Sequence, residues 1–91
     1  MTTYWKKWVV RGIVQGVGFR HFVKTVARAL GVTGYVRNEL DGSVTVVAGG
    51  NMEQLNELKR KILEGNGWSY VSEIEEFDLP PQEYKDFHVE F

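Results

Sequence analysis

The order of β-type and helical patterns along this chain predicts an α+β sandwich, one antiparallel sheet with two helices packed on one face. Three observations carry the prediction. Two segments repeat apolar residues every three or four positions, the stripe of an amphipathic helix. Runs rich in Val, Ile, Tyr and Phe flank and separate them. An Asp-Gly pair, Asp41-Gly42, marks a hairpin between the two helical segments. Ninety-one residues suffice for one hydrophobic core and not for two, so residues 1–91 are expected to form a single domain.

Trp5 to Val14 reads as the first strand, and Gln15-Gly16-Val17-Gly18 breaks it. Phe19, Phe22, Val23, Val26 and Leu30 then define a helix that Gly31 stops. "VTGYVRN" returns to β composition, and the Asp41-Gly42 turn leads into Ser43–Ala48, where Val44, Val46 and Ala48 alternate. Gly49-Gly50 is expected to end that strand. Asn51 caps the second helix, with Gln54 completing a capping box; Met52, Leu55, Leu58 and Ile62 form its buried face and Gly65 closes it. In "YVSEIEEFDL" the apolar Val71, Ile74 and Phe77 fall three apart, which conflicts with strict alternation. The preceding "GNGWS" offers no helix start, so we read a strand with an irregularity. Pro80-Pro81 end it, and Phe87, Val89 and Phe91 alternate in a short extra C-terminal strand. The order βαββαβ is that of a ferredoxin-like sandwich. That architecture hosts many unrelated activities, so function has to be argued from a site.

Composition removes several classes. A net charge of −1 lacks the basic excess that phosphate neutralisation demands of a nucleic-acid-binding domain. Without cysteine there is no disulfide, thiol nucleophile or thiolate metal site. No apolar stretch approaches the roughly 20 residues that span a bilayer, and "MTTYWKKWVV" lacks a secretory apolar core. The expected setting is the cytoplasm, with no membrane and no nucleic-acid partner.

The first strand-to-helix junction is the informative one. Gly16 and Gly18 let successive backbone N–H groups turn inward, and such a concavity binds anions. The helix beginning near Phe19 aims its unpaired N–H groups, and a partial charge of roughly +0.5, at the same point. Arg20 adds a fork of donors suited to phosphate oxygens. A cation in a first helical turn is unfavourable by about 0.3–1 kcal/mol, and an anionic ligand reverses that sign. Neither the Gly-x-x-x-x-Gly-Lys-Ser/Thr loop nor a complete dinucleotide fingerprint is present, because His21 stands at the third glycine position.

"GIVQGVGFR" together with "GYVRNELDGSV" resembles the acylphosphatase family, and the resemblance runs nearly the whole chain to the closing "FHVEF". It implies a hydrolase that splits the carboxyl-phosphate bond of acyl phosphates into carboxylate and inorganic phosphate, without metal or other cofactor. Carried onto this sequence, the resemblance assigns phosphate binding to Gln15, Gly16, Val17, Gly18, Phe19 and Arg20. It assigns catalysis to Arg20 and to Asn38, whose side-chain amide would orient the attacking water. The substrate's own phosphate oxygen is the implied proton acceptor. The expected partners are a small-molecule acyl phosphate and phosphate, and the expected state is a monomer. An alternative is a non-catalytic domain of the same type binding an anion or carbamoyl phosphate, as found within larger carbamoyl-transfer proteins. A nucleic-acid module on this fold would need a basic, aromatic sheet face.

Other residues read as structural. His21 is placed at the rim beside Phe19 and Phe22, and His88 on the surface. Arg37 should point to the face opposite Asn38. Glu73, Glu75 and Glu76 form a solvated face, and Trp5, Trp8 and Trp68 are expected to pack. Where the family has a leucine-proline pair after the asparagine, this chain has Glu39-Leu40, and a carboxylate turned inward there would weaken anion binding. The loop "EGNGWSYV" lacks the family's usual prolines and is expected to leave the phosphate cradle untouched.

Overall fold

A computed structural model describes residues 2–91. Its elements are β1 (Tyr4–Ile13), α1 (Phe19–Leu30), β2 (Thr33–Asn38), β3 (Val44–Gly50), α2 (Met52–Glu64), β4 (Tyr70–Asp78) and β5 (Phe87–Glu90). They form one sheet in the order β4-β1-β3-β2-β5. Strands β1 to β4 pair antiparallel, as expected of the ferredoxin-like sandwich. The extra strand departs from the all-antiparallel expectation: β5 lies parallel to β2. The chain leaves β4 at one edge and crosses to the other, so β5 must run back against β4 and hence along β2.

One face of the sheet meets both helices. Trp8, Val10, Val36, Val44, Val46, Ala48 and Phe87 close on Phe19, Val23 and Ala27 of α1 and on Leu55, Leu58 and Ile62 of α2, all of them buried. Burying each large apolar side chain contributes about 1.5–3 kcal/mol, which is what holds two helices on a small sheet. The irregularity read in the fourth strand is a β-bulge: Arg11 pairs with Glu73 and Gly12 with Val71, leaving Ser72 as the extra residue. Val71 and Ile74, three apart, thereby both reach the core. Phe77 falls on the opposite face, with the Lys7 ammonium 5.7 Å from its ring centroid.

Three expectations fail locally. β3 continues through Gly49 and Gly50, which pair with Trp5 and Tyr4, and the Trp5 ring fills the space a side chain at Gly49 would need. Met52 at the start of α2 is 41% exposed and stands apart from the core that Leu55, Leu58 and Ile62 join. Trp68 does not pack; it is 80% exposed on the loop after α2. Trp8 behaves as expected, buried with its Nε1 donating to Glu76 at 2.8 Å.

The topology fixes where chemistry can gather. β1 and β2 both run antiparallel to β3, so they run the same way and end at the same edge of the sheet. Val44 pairs with Val10 on one side and with Asn38 on the other. The loop leaving β1, the start of α1, Asn38 and the end of β5 therefore share one end of the sandwich.

Candidate active site

Gly16 and Gly18 both adopt left-handed backbone, each at φ 74°. A Cβ at Gly16 would meet nothing within 4 Å, so glycine serves there for its conformation and not for lack of room. Gly18 is the N-cap of α1; no side chain caps the helix and its first turn carries no acid. Among the described residues, the backbone N–H groups from Gly16 through His21 donate to no protein acceptor. The first that does is Phe22, to the Gly18 carbonyl at 3.1 Å. A helix ordinarily finds partners for these donors. Here Gly16, Gly18, Phe19, Arg20 and His21, which carry most of them, line an open site.

That site is a cavity of about 500 Å³ lined by Gly16, Gly18, Arg20, Lys24, Arg28 and Asn38 among others, and no carboxylate side chain lines it among the described residues. Arg20 is held by an Nη1 donation to the Glu90 carbonyl at 3.2 Å and by its guanidinium lying 5.0 Å from the Phe91 ring centroid. Phe91, which the alternation grouped with Phe87 and Val89, lies beyond β5, is exposed and braces the arginine. Arg28 is tied to Asp86 and the Phe87 carbonyl, both at 2.9 Å. Lys24 has no carboxylate partner among the described residues. Neither Lys24 nor Arg28 was singled out from sequence, although Arg20, Lys24 and Arg28 recur every fourth residue on one face of a helix.

Asn38 ends β2 at the cavity wall, and its side-chain oxygen is buried with no hydrogen-bond partner among the described residues. An acceptor left so costs about 1–3 kcal/mol unless something donates to it. Glu39 does not turn inward. It accepts from the Thr45 hydroxyl at 2.6 Å and pairs with Arg37 at 3.0 Å on the opposite face. The Thr45 hydroxyl foremost lowers the pKa of its carboxyl, burial opposes that, and Arg37 adds to the lowering.

The family model described as Acylphosphatase matches residues 6–89. The chain belongs to the acylphosphatase family. It is 75% identical to an acylphosphatase of Fervidobacterium nodosum over the full length of both chains. It is similar to the crystal structure of acylphosphatase from Bacillus subtilis at TM-score 0.92 and 30% identity, covering 97% of this chain and 99% of that one. HypF of T. kodakarensis matches 97% of this chain at TM-score 0.86 and 29% identity, but over only 12% of its own length. The acylphosphatase fold thus also occurs as a small part of a much larger protein. This chain is an enzyme of acylphosphatase type, a hydrolase of the carboxyl-phosphate bond of acyl phosphates.

The remaining acylphosphatase motif residues divide into wall and support. Phe19 lines the cavity and is buried in the core. Gln15 and Val17 are not cavity-lining. The Gln15 side-chain amide donates to the Glu39 and Ser43 carbonyls at 2.8 and 2.9 Å, fastening the loop to the β2–β3 turn. The Val17 carbonyl accepts from the Asn66 side chain at 2.8 Å. That contact overturns the expectation that the loop after α2 leaves the cradle alone. His21 stands exposed at the cavity wall, as placed; His88 is half-exposed beside the rings of Tyr35 and Tyr84. Among the described residues, His, Cys, Asp and Glu side chains nowhere gather in a group of three that would suit a metal. No helix among them is long and apolar enough to cross a membrane.

Proposed function

We propose that the backbone N–H groups of the Gln15–Phe19 loop and the Arg20 guanidinium hold the phosphoryl group of an acyl phosphate, while Asn38 orients the water that attacks it. One observation carries this reading: Gly16, Gly18, Phe19 and Arg20, whose backbone N–H groups are unpaired among the described residues, line with the Arg20 fork one cavity from which carboxylate side chains are absent among the described residues. Inside a chain of net charge −1, that is a local field shaped for an anion.

The chemistry asks little else of the protein. Water attacks phosphorus in line as the bond from phosphorus to the acyl oxygen breaks, so carboxylate leaves with the bonding electrons. The proton of the water passes to a phosphoryl oxygen of the substrate, and the second product is protonated inorganic phosphate. Carboxylate is a good leaving group and needs no general acid. The transition state needs positioning and stabilisation of charge spread over the equatorial oxygens. Each preorganised donor of that kind is worth about 2.7–4 kcal/mol. The Asn38 amide does not ionise, so it is no base; its unpaired oxygen accepts a hydrogen bond from water and thereby aims a lone pair at phosphorus.

All of these groups come from one chain, which supports action as a monomer on a small molecule. The net charge argues against a nucleic-acid partner, and the cysteine-free composition fits the reducing cytoplasm. The test is release of phosphate from acetyl or benzoyl phosphate with EDTA present. Arg20→Ala is expected to lose both turnover and inhibition by inorganic phosphate. Asn38→Ala is expected to lose about 10²–10³ in kcat while phosphate still inhibits. Undiminished turnover by Asn38→Ala removes the water-orienting role. Phosphate binding without turnover in the unaltered protein would instead favour the anion-binding domain.

A further inference from the structure

We infer that Asn66, in the loop after α2, is a positioning residue of the phosphate cradle: its side-chain amide fixes the Val17–Gly18 peptide so that the Gly18 N–H faces the phosphoryl group. The inference rests on the cradle reading above and adds a residue outside both acylphosphatase motifs.

The orientation of the Asn66 amide is set by its own loop. Its Oδ1 accepts from the backbone N–H groups of Trp68 at 3.0 Å and Ser69 at 2.9 Å. The Asn66 N–H in turn donates to the Ser69 hydroxyl at 3.1 Å. With the oxygen committed to two donors, the NH₂ group is the end that reaches Val17, at 2.8 Å from its carbonyl oxygen. The loop is anchored to the core side of the molecule by α2, whose C-cap Gly65 donates to the Lys61 carbonyl.

A trans peptide is planar, with its C=O and the following N–H pointing in opposite directions. None of the described peptide bonds is cis. A Val17 carbonyl gripped by Asn66, which does not line the cavity, therefore turns the Gly18 N–H the other way, toward the side that Gly16, Arg20 and Asn38 do line. The peptide needs that grip. Gly18 has no Cβ and already stands at φ 74°, so its own backbone does little to favour one orientation of this peptide over the other. A flipped peptide replaces a donor with a carbonyl oxygen that repels phosphoryl oxygens. Asn66 keeps the nest in its donating form before any ligand arrives.

The test compares Asn66→Ala, which removes the donor without adding charge, and Asn66→Asp, which keeps an acceptor for Trp68 and Ser69, with Trp68→Ala, which removes an exposed side chain of the same loop and keeps its backbone N–H. For both Asn66 variants we expect the inhibition constant of inorganic phosphate to rise about tenfold or more and kcat/KM for acetyl phosphate to fall about 10²-fold. Trp68→Ala should leave phosphate inhibition at the wild-type value. In amide NMR spectra, phosphate should shift the Gly18 N–H and the Arg20 side chain of the unaltered protein; in Asn66→Ala the Arg20 response should persist and the Gly18 response vanish. Wild-type phosphate inhibition and a wild-type Gly18 shift in Asn66→Ala overturn the role of Asn66 and leave the cradle standing. If phosphate shifts neither group in the unaltered protein, the cradle reading falls, and this inference with it.

Discussion

The chain enters its two helices in opposite ways. At the start of α2, the Asn51 side chain accepts from the Gln54 N–H and the Gln54 side chain accepts from the Asn51 N–H, each at 2.8 Å. Glu53 complements the dipole in the first turn, and the Gln54 amide also donates to the Leu30 carbonyl at the far end of α1. At the start of α1 a left-handed glycine stands at the cap, no side chain satisfies the first turn, and the charged residue there is Arg20. A missing cap costs about 0.5–2 kcal/mol and an arginine so placed about 0.3–1 kcal/mol more. One junction is complete in itself. The other becomes complete when a tetrahedral anion supplies the acceptors and the charge it lacks, and the difference separates a helix start made for stability from one made for binding.

The largest expected effect follows directly. If an oxyanion acts as the absent cap of α1, inorganic phosphate at about 100 times its dissociation constant should stabilise the fold by about 2.7 kcal/mol. For a domain of this size each kcal/mol raises the melting temperature by about 4–8 °C. Calorimetry in phosphate-free buffer with added phosphate reads the shift, and Arg20→Ala should abolish it. A melting temperature that does not move at phosphate concentrations that inhibit turnover would erase the contrast between the junctions.

The sequence made the contrast half legible. Asn51 and Gln54 declare the capping box at α2 by type and spacing, and the glycines with Arg20 announce a different purpose at α1, because both signals are local. The bulge at Ser72 was also foreshadowed, since Val71 and Ile74 could not both face inward on a regular strand. What pattern reading could not supply were contacts set by tertiary geometry. The Asn66–Val17 bond joins residues 49 apart, and nothing near Asn66 marks it as belonging to the cradle. The parallel sense of β5 depends on which edge the 79–86 crossover reaches, which no periodicity encodes. Phe91 continues the alternation of Phe87 and Val89 in sequence, yet it lies beyond the end of β5, where Arg20 meets it. Asn38 was assigned by family resemblance alone; strand order is what places it opposite the glycine turn.

A smaller effect tests the self-sufficient junction. Asn51→Ala should cost about 1 kcal/mol of folding stability, measured by urea denaturation, because the Gln54 N–H loses its acceptor at the start of α2. Turnover of acetyl phosphate and inhibition by phosphate should be unchanged, since Asn51 lies away from the cavity. A fall in kcat/KM beyond the stability loss would show that the two helix starts are coupled, for which the Gln54 bridge to Leu30 is the available route.

The smallest effect concerns the turn to which the cradle is fastened. Asp41 accepts from the Ser43 hydroxyl at 2.6 Å, the Ser43 N–H at 3.0 Å and Arg11 at 3.1 Å. These contacts, the Ser43 hydroxyl foremost, lower its pKa from 3.8 to about 2. A carboxyl more acidic in the folded than in the unfolded chain stabilises the fold fully above its unfolded pKa and loses that contribution as the pH falls toward its folded value. The stability difference between the unaltered protein and Asp41→Asn should therefore be constant from neutral pH down to about pH 4 and fall steeply as the pH drops toward 2 and below. Full exposure to solvent and salt keeps it small. Because the same turn receives the Gln15 amide, phosphate affinity measured alongside decides whether that fastening matters to the cradle. We expect Asp41→Asn to bind phosphate as the unaltered protein does at pH 6, since Gln15 bonds the backbone carbonyls of Glu39 and Ser43 and not the Asp41 side chain. Weakened phosphate binding in that variant would extend the cradle's support from the loop into the hairpin, and the ligand-completed junction would then be larger than the β1–α1 segment.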